Sequence, residues 1–227
     1  MRTITKKKIF CSFFNDKASI GIGAMIVFIA MVLVAGIAAS VLIQTSNTLE
    51  TQALKSGGDT KDEVSAGVRV YQIIGQYGTR NISGTLYSRY HNMSIIVTPC
   101  SGTKGIDLSE TVVKVVNDST SIILTYGSVF ASAPSGNGVF STAGAFDLNA
   151  SQFGIIPLED RDGSCTSGAP VINEGDKALL TVNLSACFNG LPGREDVHGM
   201  VIVEEGAPGV YLFRTPPTSV RTVVEFY

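Results

Sequence analysis

Asparagine-linked modification is the chemistry for which this sequence offers the most candidate residues. Five asparagines are followed two positions later by Ser, namely Asn81, Asn92, Asn117, Asn149 and Asn183. With ten asparagines in the chain and Ser plus Thr at roughly a fifth of all residues, chance would give about two such sites. The excess predicts N-glycosylation of an exposed surface. The alternative is that most of these asparagines are unmodified polar positions.

A short acidic segment, Glu159, Asp160 and Asp162, offers the oxygen ligands that divalent cations prefer. Its spacing is similar to the start of a calcium-binding loop counted from Asp160. The twelfth position of that loop is Val171, which cannot ligate a cation. We therefore interpret the segment as a solvated acidic loop and keep its three carboxylates as a candidate divalent-cation site. No other cofactor is indicated.

The cysteines predict one disulfide and no zinc site. Cys11 lies in the basic N-terminal segment, and Cys100, Cys165 and Cys187 lie further along the chain. Among the three cysteines that lie beyond the basic segment, one pair is expected in an oxidising exterior. We predict a disulfide between Cys165 and Cys187, which leaves one of these three thiols unpaired. No two cysteines stand at zinc-ligand spacing, and the chain has two histidines, so the sequence argues against zinc.

Catalytic residues are not indicated. Neither His91 nor His198 lies near a nucleophile motif such as Gly-x-Ser-x-Gly. The glycines Gly21 and Gly23 lie inside a long apolar run rather than after a strand, so they do not form a phosphate-binding loop. The sequence therefore does not predict an enzyme.

Charge divides the chain into a basic start, an uncharged stretch and an acidic body. Residues 1–18 carry five basic side chains against Asp16, a net charge of +4. Because the whole chain carries −2, the remaining residues carry −6. The positive-inside rule places the basic start in the cytoplasm and everything after Glu50 outside the cell. The net negative charge also argues against a nucleic-acid partner.

The uncharged stretch predicts a long helix that needs a non-aqueous partner. Ile20 to Ile43 would form a helix of about 36 Å, enough to cross a hydrocarbon layer of about 30 Å. Apolar side chains occupy every face, so no amphipathic stripe is available for a globular core. Small residues among bulky ones permit close helix packing. The predicted packing surface comprises Ile20, Gly21, Gly23, Ile26, Phe28, Ala30, Leu33, Gly36 and Val41.

Three interpretations of this helix follow from its length and composition. A removed secretory signal normally has an apolar core of only about 7–15 residues, which is shorter than this run. A permanent membrane anchor and a helix that is stored in the membrane and later packs against copies of itself remain. Helical spacing continues beyond the apolar run, without Gly or Pro before Gly57, so we predict a continuous helix from Ser19 to about Lys55. A protruding helix of this kind favours polymer packing.

The N-terminal junction resembles the class III signal peptide of archaellins. The matching stretch is KASIGIGAMIVFIAMVLVAGIAASVLIQTSNTLETQAL, beginning at Lys17. The resemblance resumes at GIDLS (105–109), GDKALLTVNL (175–184) and VHGMVIVEEGAPGVYLFRTPP (197–217). It implies that a preflagellin peptidase cuts between Ala18 and Ser19, with Gly21 as the third mature residue. Ala18 stands where Gly is usual in the family, and Asp16 where a basic residue is common.

The same resemblance implies a structural subunit of the archaeal motility filament, located outside the cell, with a membrane-held precursor. Its implied partners are copies of itself, other archaellins, the peptidase, the filament assembly machinery and an oligosaccharyltransferase. The implied organisation is a cleaved signal peptide (1–18), a polymerisation helix (19–57) and an extracellular domain (58–227). The alternatives are a subunit of a type IV pilin-like adhesion filament and a membrane-anchored surface protein. Gly23, the fifth mature residue, favours an archaellin, because type IV pilins usually place Glu there.

The body of the chain predicts an antiparallel β-sandwich of immunoglobulin-like type, so the fold class is α+β. Short β-branched runs separated by turn residues indicate seven or more strands. The runs are 68–77, 93–99, 111–118, 120–127, 177–185, 198–205 and 209–215. Asn117-Asp118 predicts a hairpin turn. The Gly-, Ala- and Ser-rich segment 129–167 predicts a long surface loop.

Overall fold

The computed structural model describes residues 5–82 and 85–226, with the side chains of residues 19–79 and 86–226. The chain divides into two compact units with a boundary between Gly58 and Asp59. Helix α1 (Thr5–Ser65) accounts for the described part of the first unit, and its last residues belong to the second. From Ser19 to Gly58 this helix would span about 60 Å.

Helix α1 extends about ten residues beyond the predicted end near Lys55 and passes through Gly57 and Gly58. Each glycine costs a helix roughly 1 kcal/mol relative to Ala, but neither removes a backbone donor as a proline would. The residues that follow include Lys61 and Glu63, which favour helix, and the helix ends at Ser65. The expectation that the two glycines would end the helix was wrong.

Among its described residues, the second unit contains eleven strands, one short α-helix and one 3-10 turn (Val139–Ser141). Helix α2 (Leu184–Phe188) follows the eighth strand directly. The strands are β1 (Val68–Ile82), β2 (Thr85–Pro99), β3 (Ile106–Asp107), β4 (Val112–Val116), β5 (Ser121–Phe130), β6 (Gln152–Glu159), β7 (Val171–Ile172), β8 (Lys177–Asn183), β9 (Asp196–Ile202), β10 (Gly209–Arg214) and β11 (Val223–Glu225). Alternation of buried and exposed residues along β4, β9 and β10 gives these strands one core face and one outer face.

Nine strands form one hydrogen-bonded sheet in the order β10-β9-β4-β5-β6-β8-β2-β1-β11, and β3 pairs with β7. Strands β4 and β5 form the predicted hairpin, with Val116 opposite Ser121 and the amide of Asn117 donating to the Thr120 carbonyl at 3.0 Å. Strands β5 and β6 run parallel, whereas the other neighbouring pairs are antiparallel. The predicted long helix followed by a mostly antiparallel β domain is confirmed, with one parallel pair that the prediction did not include.

The sheet curls so that its two ends meet and enclose the main core. Phe213 of β10 stacks on Phe226, which follows β11, with ring centroids 4.6 Å apart. Phe226 also packs edge-on against Tyr90 at 5.0 Å. Near the start of β1, the amide of Val68 donates to the Ala207 carbonyl at 3.0 Å. These contacts bury the alternating apolar side chains of both ends of the sheet against one another.

The predicted loop over residues 129–167 contains a central strand, so that prediction was wrong. Phe153 and Ile156 of β6 are fully buried, because β6 lies between β5 and β8. The connection between β5 and β6 then covers the outer side of the sheet, where Phe146 packs over Ile156 and Leu179. A Gly- and Ser-rich neighbourhood concealed a short apolar run that is buried on both faces.

Candidate functional site

The apolar part of helix α1 presents its whole surface outward. From Ile20 to Ile43 the large apolar side chains are between 51% and 73% exposed. No residue is buried in the most apolar 18-residue segment of the helical stretch Ser19–Ser65. The nine residues of the predicted packing surface are all exposed. Contact with water at this scale is strongly unfavourable, so lipid or other helices must cover this surface.

The glycines of this helix have no packing role within the described chain. A Cβ atom added at Gly21, Gly23 or Gly36 would meet no atom within 4 Å. By contrast, a Cβ atom at Gly199 in the β domain would lie 2.0 Å from the Lys114 carbonyl oxygen. The small side chains of α1 therefore fit contacts between helices of different molecules, where they allow close approach of the backbones.

The hydroxyls that follow the apolar run are satisfied by the helix itself. Thr45, Thr48 and Thr51 donate to backbone carbonyls three or four residues earlier, at 2.9–3.0 Å. A hydroxyl satisfied in this way can enter a helix–helix contact without losing a hydrogen bond to water. Leu49 and Leu54 in the same region are 66% and 70% exposed. The surface available for packing therefore continues beyond Ile43.

The predicted cleavage junction lies at the margin of the described side chains. The backbone is helical across it, and Ser19 and Gly21 are exposed. The side chains of Lys17 and Ala18 fall outside the described residues. The cleavage between Ala18 and Ser19 stays a prediction.

The five candidate glycosylation sites differ in the exposure of their side chains and in the hydrogen bonds that these side chains make. Asn149 is exposed, and its amide contacts Gln152 at 3.1 Å. Asn117 lies in the β4–β5 turn, where its side-chain amide donates to the Glu195 carboxylate at 2.9 Å. Asn92 is half-buried within β2 and donates to Gln76 at 2.8 Å. The side chain of Asn81 falls outside the described residues.

Asn183 has a structural role that the sequence pattern did not reveal. Its side-chain oxygen accepts from the amide of Ala186 at 3.1 Å and so caps helix α2. Its side-chain nitrogen donates to the carbonyls of Phe146 and Leu148 at 3.0 and 3.4 Å. A glycan on this nitrogen would disrupt the contacts that tie the β5–β6 connection to β8.

The structure assembles a carboxylate cluster that differs by one residue from the predicted set. Oxygens of Asp160, Asp162 and Asp176 lie within 4.8 Å of one another. Glu159 does not join them, because it pairs with Lys177 at 2.5 Å. This ion pair lowers the pKa of Glu159 and raises that of Lys177. Asp176 was missed because only the antiparallel pairing of β6 with β8 brings residue 176 next to residue 160.

Backbone amides hold this cluster in place. Asp160 accepts from the amides of Gly163 and Cys165 at 2.8 and 3.1 Å, and the buried Asp176 accepts from the amide of Asn173 at 3.0 Å. Hydrogen bonds from Ser164 and then Asn173 lower the pKa of Asp162. Three carboxylates with spare lone pairs suit a hard cation such as Ca²⁺. The divalent-cation site stays a prediction, with Asp176 in place of Glu159.

The predicted disulfide between Cys165 and Cys187 is not formed, and both are free thiols, as is Cys100. Cys187 donates to the carbonyl of Ala150, just before β6 begins, whereas Cys165 follows the end of β6. The length of the eight-residue strand β6 between these points is about 20–25 Å, and a disulfide requires Cα atoms within about 7 Å. Burial raises the pKa of each of these two thiols to about 11.

The histidines have no catalytic arrangement among the described residues. His91 contacts the Ser185 hydroxyl at 3.0 Å, which sequence spacing did not predict. The other ring nitrogen lies 3.1 Å from the Gly78 carbonyl oxygen. These two contacts connect β1, β2 and α2, and neither of these two partners is a carboxylate of the kind that orients the histidine of a catalytic triad. His198 is exposed on β9.

Comparison with known proteins finds archaeal flagellins both by sequence and by structure. The family model for archaeal-type flagellin matches residues 18–213. Flagellin B2 of Methanocaldococcus jannaschii is 39% identical over 217 residues, which cover 95% of this chain and 96% of the relative. Flagellin B5 of Pyrococcus abyssi is 37% identical over 212 residues, which cover 89% and 95%.

Two solved structures share the fold. The crystal structure of archaeal flagellin FlaB1 from Methanocaldococcus jannaschii matches with a TM-score of 0.62 and 31% identity, covering 71% of this chain and 96% of that one. The archaeal flagellum of Methanospirillum hungatei matches with a TM-score of 0.57 and 14% identity, covering 90% and 98%. At 14% identity the second match shows likeness of fold alone.

Proposed function

The chain belongs to the archaeal-type flagellin family, and we infer from this that it is a structural subunit of an archaellum, the extracellular motility filament of archaea. The family consists of filament subunits, so the chain is not an enzyme. One observation on the molecule carries the inference, namely the apolar surface of helix α1 between Ile20 and Ile43, which is exposed on all sides. Its cover in the filament is the same helix of other subunits.

Assembly transfers this helix from one apolar environment to another. Before assembly the helix lies in the membrane, with the basic start in the cytoplasm. Cleavage between Ala18 and Ser19 would remove the net charge of +4 that holds this orientation. The freed helix can then leave the lipid for a bundle of identical helices at little cost, because its apolar surface stays away from water. Repeated head-to-tail association that does not close into a ring gives a helical filament.

The partners follow from this scheme. Copies of the chain, alone or with other flagellins, form the filament. A preflagellin peptidase would make the cut, and an oligosaccharyltransferase would modify the exterior domain. The helix would serve as the polymerisation domain from Ser19 to about residue 57, and the remainder would form the extracellular domain.

Glycosylation of the folded domain would favour the sites whose amides are least engaged. We expect Asn149 to be modified first, because it is exposed and lies just before β6 begins. Asn117 is the next candidate, since it lies in a turn. Asn183 is the least suitable, because its side chain caps α2 and binds two carbonyls.

The experiment that tests this function is mass spectrometry of filaments sheared from cells, combined with a swimming assay after deletion of the gene. We expect the chain in the sheared filaments with Ser19 as its first residue, and loss of swimming after deletion. A full-length chain found singly in the membrane fraction and never in filaments would refute the proposal. Loss of adhesion after deletion, with motility filaments and swimming intact, would instead indicate a pilin-like adhesion subunit.

A further inference from the structure

Strands β5, β4, β9 and β10 present an apolar outer face in the β domain. Cross-strand neighbours align on it, with Met200 opposite both Val210 and Lys114. Val210, Leu212 and Ile123 are 66%, 65% and 59% exposed. We call this surface the β10 face, and its apolar members are Val112, Val116, Ile123, Met200, Ile202, Val210 and Leu212.

The outer side of the sheet around β6, β8 and β2 is covered by another segment of the chain. There Ala145 and Phe146 of the β5–β6 connection cover Ile96, Ile156 and Leu179, and all five are buried. The β10 face has no such cover within the described part of the chain. One outer side of the domain is therefore completed by its own sequence, and the other leaves apolar side chains in contact with solvent.

The β10 face has the composition of a contact surface. Lys114 and His198 lie among its apolar side chains, and Arg214 with Asp196 forms an ion pair of 3.5 Å at its border. The face therefore combines a majority of apolar side chains with a few polar ones and a charged border, which is the mixture found in non-obligate protein–protein interfaces. Soluble monomers carry apolar patches of at most about 300–600 Å², and patches of that size are often functional.

Its size limits what can cover it. Seven aliphatic or thioether side chains on four short strands form a patch of a few hundred Å², about the upper size found on monomers. Stable complexes between freely diffusing proteins bury about 800 Å² on each partner. The β10 face alone is therefore too small to hold a free partner firmly. It is large enough for a neighbour that another contact already holds at high effective concentration.

We propose that the β10 face is covered in the filament by the β domain of a second copy of this chain. This inference rests on the proposed function, because polymerised helices supply the high effective concentration. In a helical polymer neighbouring subunits meet through two different surfaces, so the β10 face contacts another part of the second copy rather than itself. The contact adds lateral cohesion between exterior domains that the helices alone do not provide.

Cysteine accessibility in filaments tests the proposal directly. Leu212→Cys places a thiol within the face on its outermost strand, β10, and Val220→Cys provides the control at a residue that is fully exposed outside the face. Trypsin releases residue 212 within residues 195–214 and residue 220 within residues 215–221, and neither peptide contains a natural cysteine or a glycosylation site. Filaments made of each variant as the sole flagellin are treated with biotin maleimide, and labelling of each peptide is measured over time by mass spectrometry.

We expect Leu212→Cys to react at least tenfold more slowly than Val220→Cys in intact filaments. The difference in exposure within one chain would account for less than a twofold difference, because the two residues are 65% and 107% exposed. Similar rates for the two variants would overturn the proposal while leaving the filament function intact. Absence of the chain from filaments would instead overturn the function on which the proposal rests.

A glycan at Asn117 is the other group that could shield the face, because the β4–β5 turn borders it. Ser119→Ala removes that glycosylation site and leaves the contact of Asn117 with Glu195 in place. In filaments of the double variant Ser119→Ala, Leu212→Cys, slow labelling supports a protein cover. Recovery of the rate seen for Val220→Cys would show that the glycan, and not a second copy, shields the face.

Discussion

A charge placed at the centre of the apolar helix should separate membrane insertion from filament assembly. Ala30 lies near the middle of the run from Ile20 to Ile43 and is exposed in the single chain, so Ala30→Asp creates no clash within the molecule. Asn47→Asp is the matched control. It adds the same charge with an isosteric side chain further along the same helix, in a polar stretch that already contains Glu50.

The expected magnitudes differ for the two steps. Fifteen large apolar residues in the run favour membrane insertion by about 5–9 kcal/mol in total. An Asp at the centre of a membrane helix costs about 2.5–3.5 kcal/mol, so insertion of the precursor stays favourable. In lipid, snorkelling and local water defects reduce this cost, whereas a packed helix bundle offers neither and brings copies of the same charge close together. The cost of the charge should therefore be larger in the filament than in the membrane, and the affinity between subunits should fall roughly 10-fold to 10²-fold. Protonating the Asp at pH 7 would cost about 4 kcal/mol and offers no easier solution.

The assay compares the membrane fraction, the filament yield after shearing and swimming for the two variants. We expect the Ala30→Asp precursor in the membrane at normal levels, with few or no filaments. We expect Asn47→Asp to form filaments like the unmodified chain. Normal filament yield from Ala30→Asp would show that packing of the apolar helices does not hold the polymer. Loss of filaments from both variants would show that added charge anywhere on the helix is harmful, which contradicts the local argument.

Three further predictions concern the β domain. Asn149→Gln should reduce the intact mass of the mature chain by one glycan. Asn183→Gln should leave the mass unchanged, but it should lower domain stability in thermal unfolding by about 1 kcal/mol, because the α2 cap is lost. A glycan found on Asn183 would contradict this prediction. Because burial raises the pKa of Cys165 and Cys187 to about 11, their alkylation at pH 8 should be roughly 10²-fold slower than that of thiols with the ordinary value of 9.0, and domain stability should fall as the pH rises from 9 through 11; equal rates would show that the thiols are not buried. If Asp160, Asp162 and Asp176 hold a divalent cation, Ca²⁺ should raise the melting temperature of the unmodified filament protein, and Asp176→Asn should abolish the increase; an equal increase in the variant would locate the effect elsewhere.

The structural features that could be predicted from the sequence are those that depend on local residue pattern. An apolar run without charge can satisfy its backbone only as a helix in a membrane or bundle, so the part of α1 from Ser19 to about Lys55 was predicted from composition and from the spacing of its apolar residues. Strands β4 and β5 were predicted because Val112–Val116 and Ser121–Phe130 are β-branched runs around a turn. Strand β6 was missed because its four consecutive buried residues show no alternation, and a run this short is ambiguous by pattern.

The features that the sequence did not predict depend on strand pairing. The pairing of Glu159 with Lys177 places Asp176 beside Asp160 and removes Glu159 from the cluster. The same strand separates Cys165 from Cys187 by its full length, which rules out the disulfide. Sequence spacing measures distance along the chain, whereas these sites depend on the register between strands that are about twenty residues apart. Register is fixed by the whole apolar pattern of the sheet and not by the site residues themselves.

The apolar surface of α1 and the β10 face together imply an order of events. The surface of α1 is too large to be left in water at any stage, so the helix must pass from lipid into a bundle without an exposed intermediate. The β10 face is within the range that a soluble domain tolerates, so the exterior domain can fold and remain in water while the helix is still in the membrane. Contact through the β10 face can therefore form only after the helices have brought subunits together. Changes in the helix should then affect whether filaments form, whereas changes in the β10 face, such as Leu212→Lys, should affect only how well formed filaments resist heat and shear.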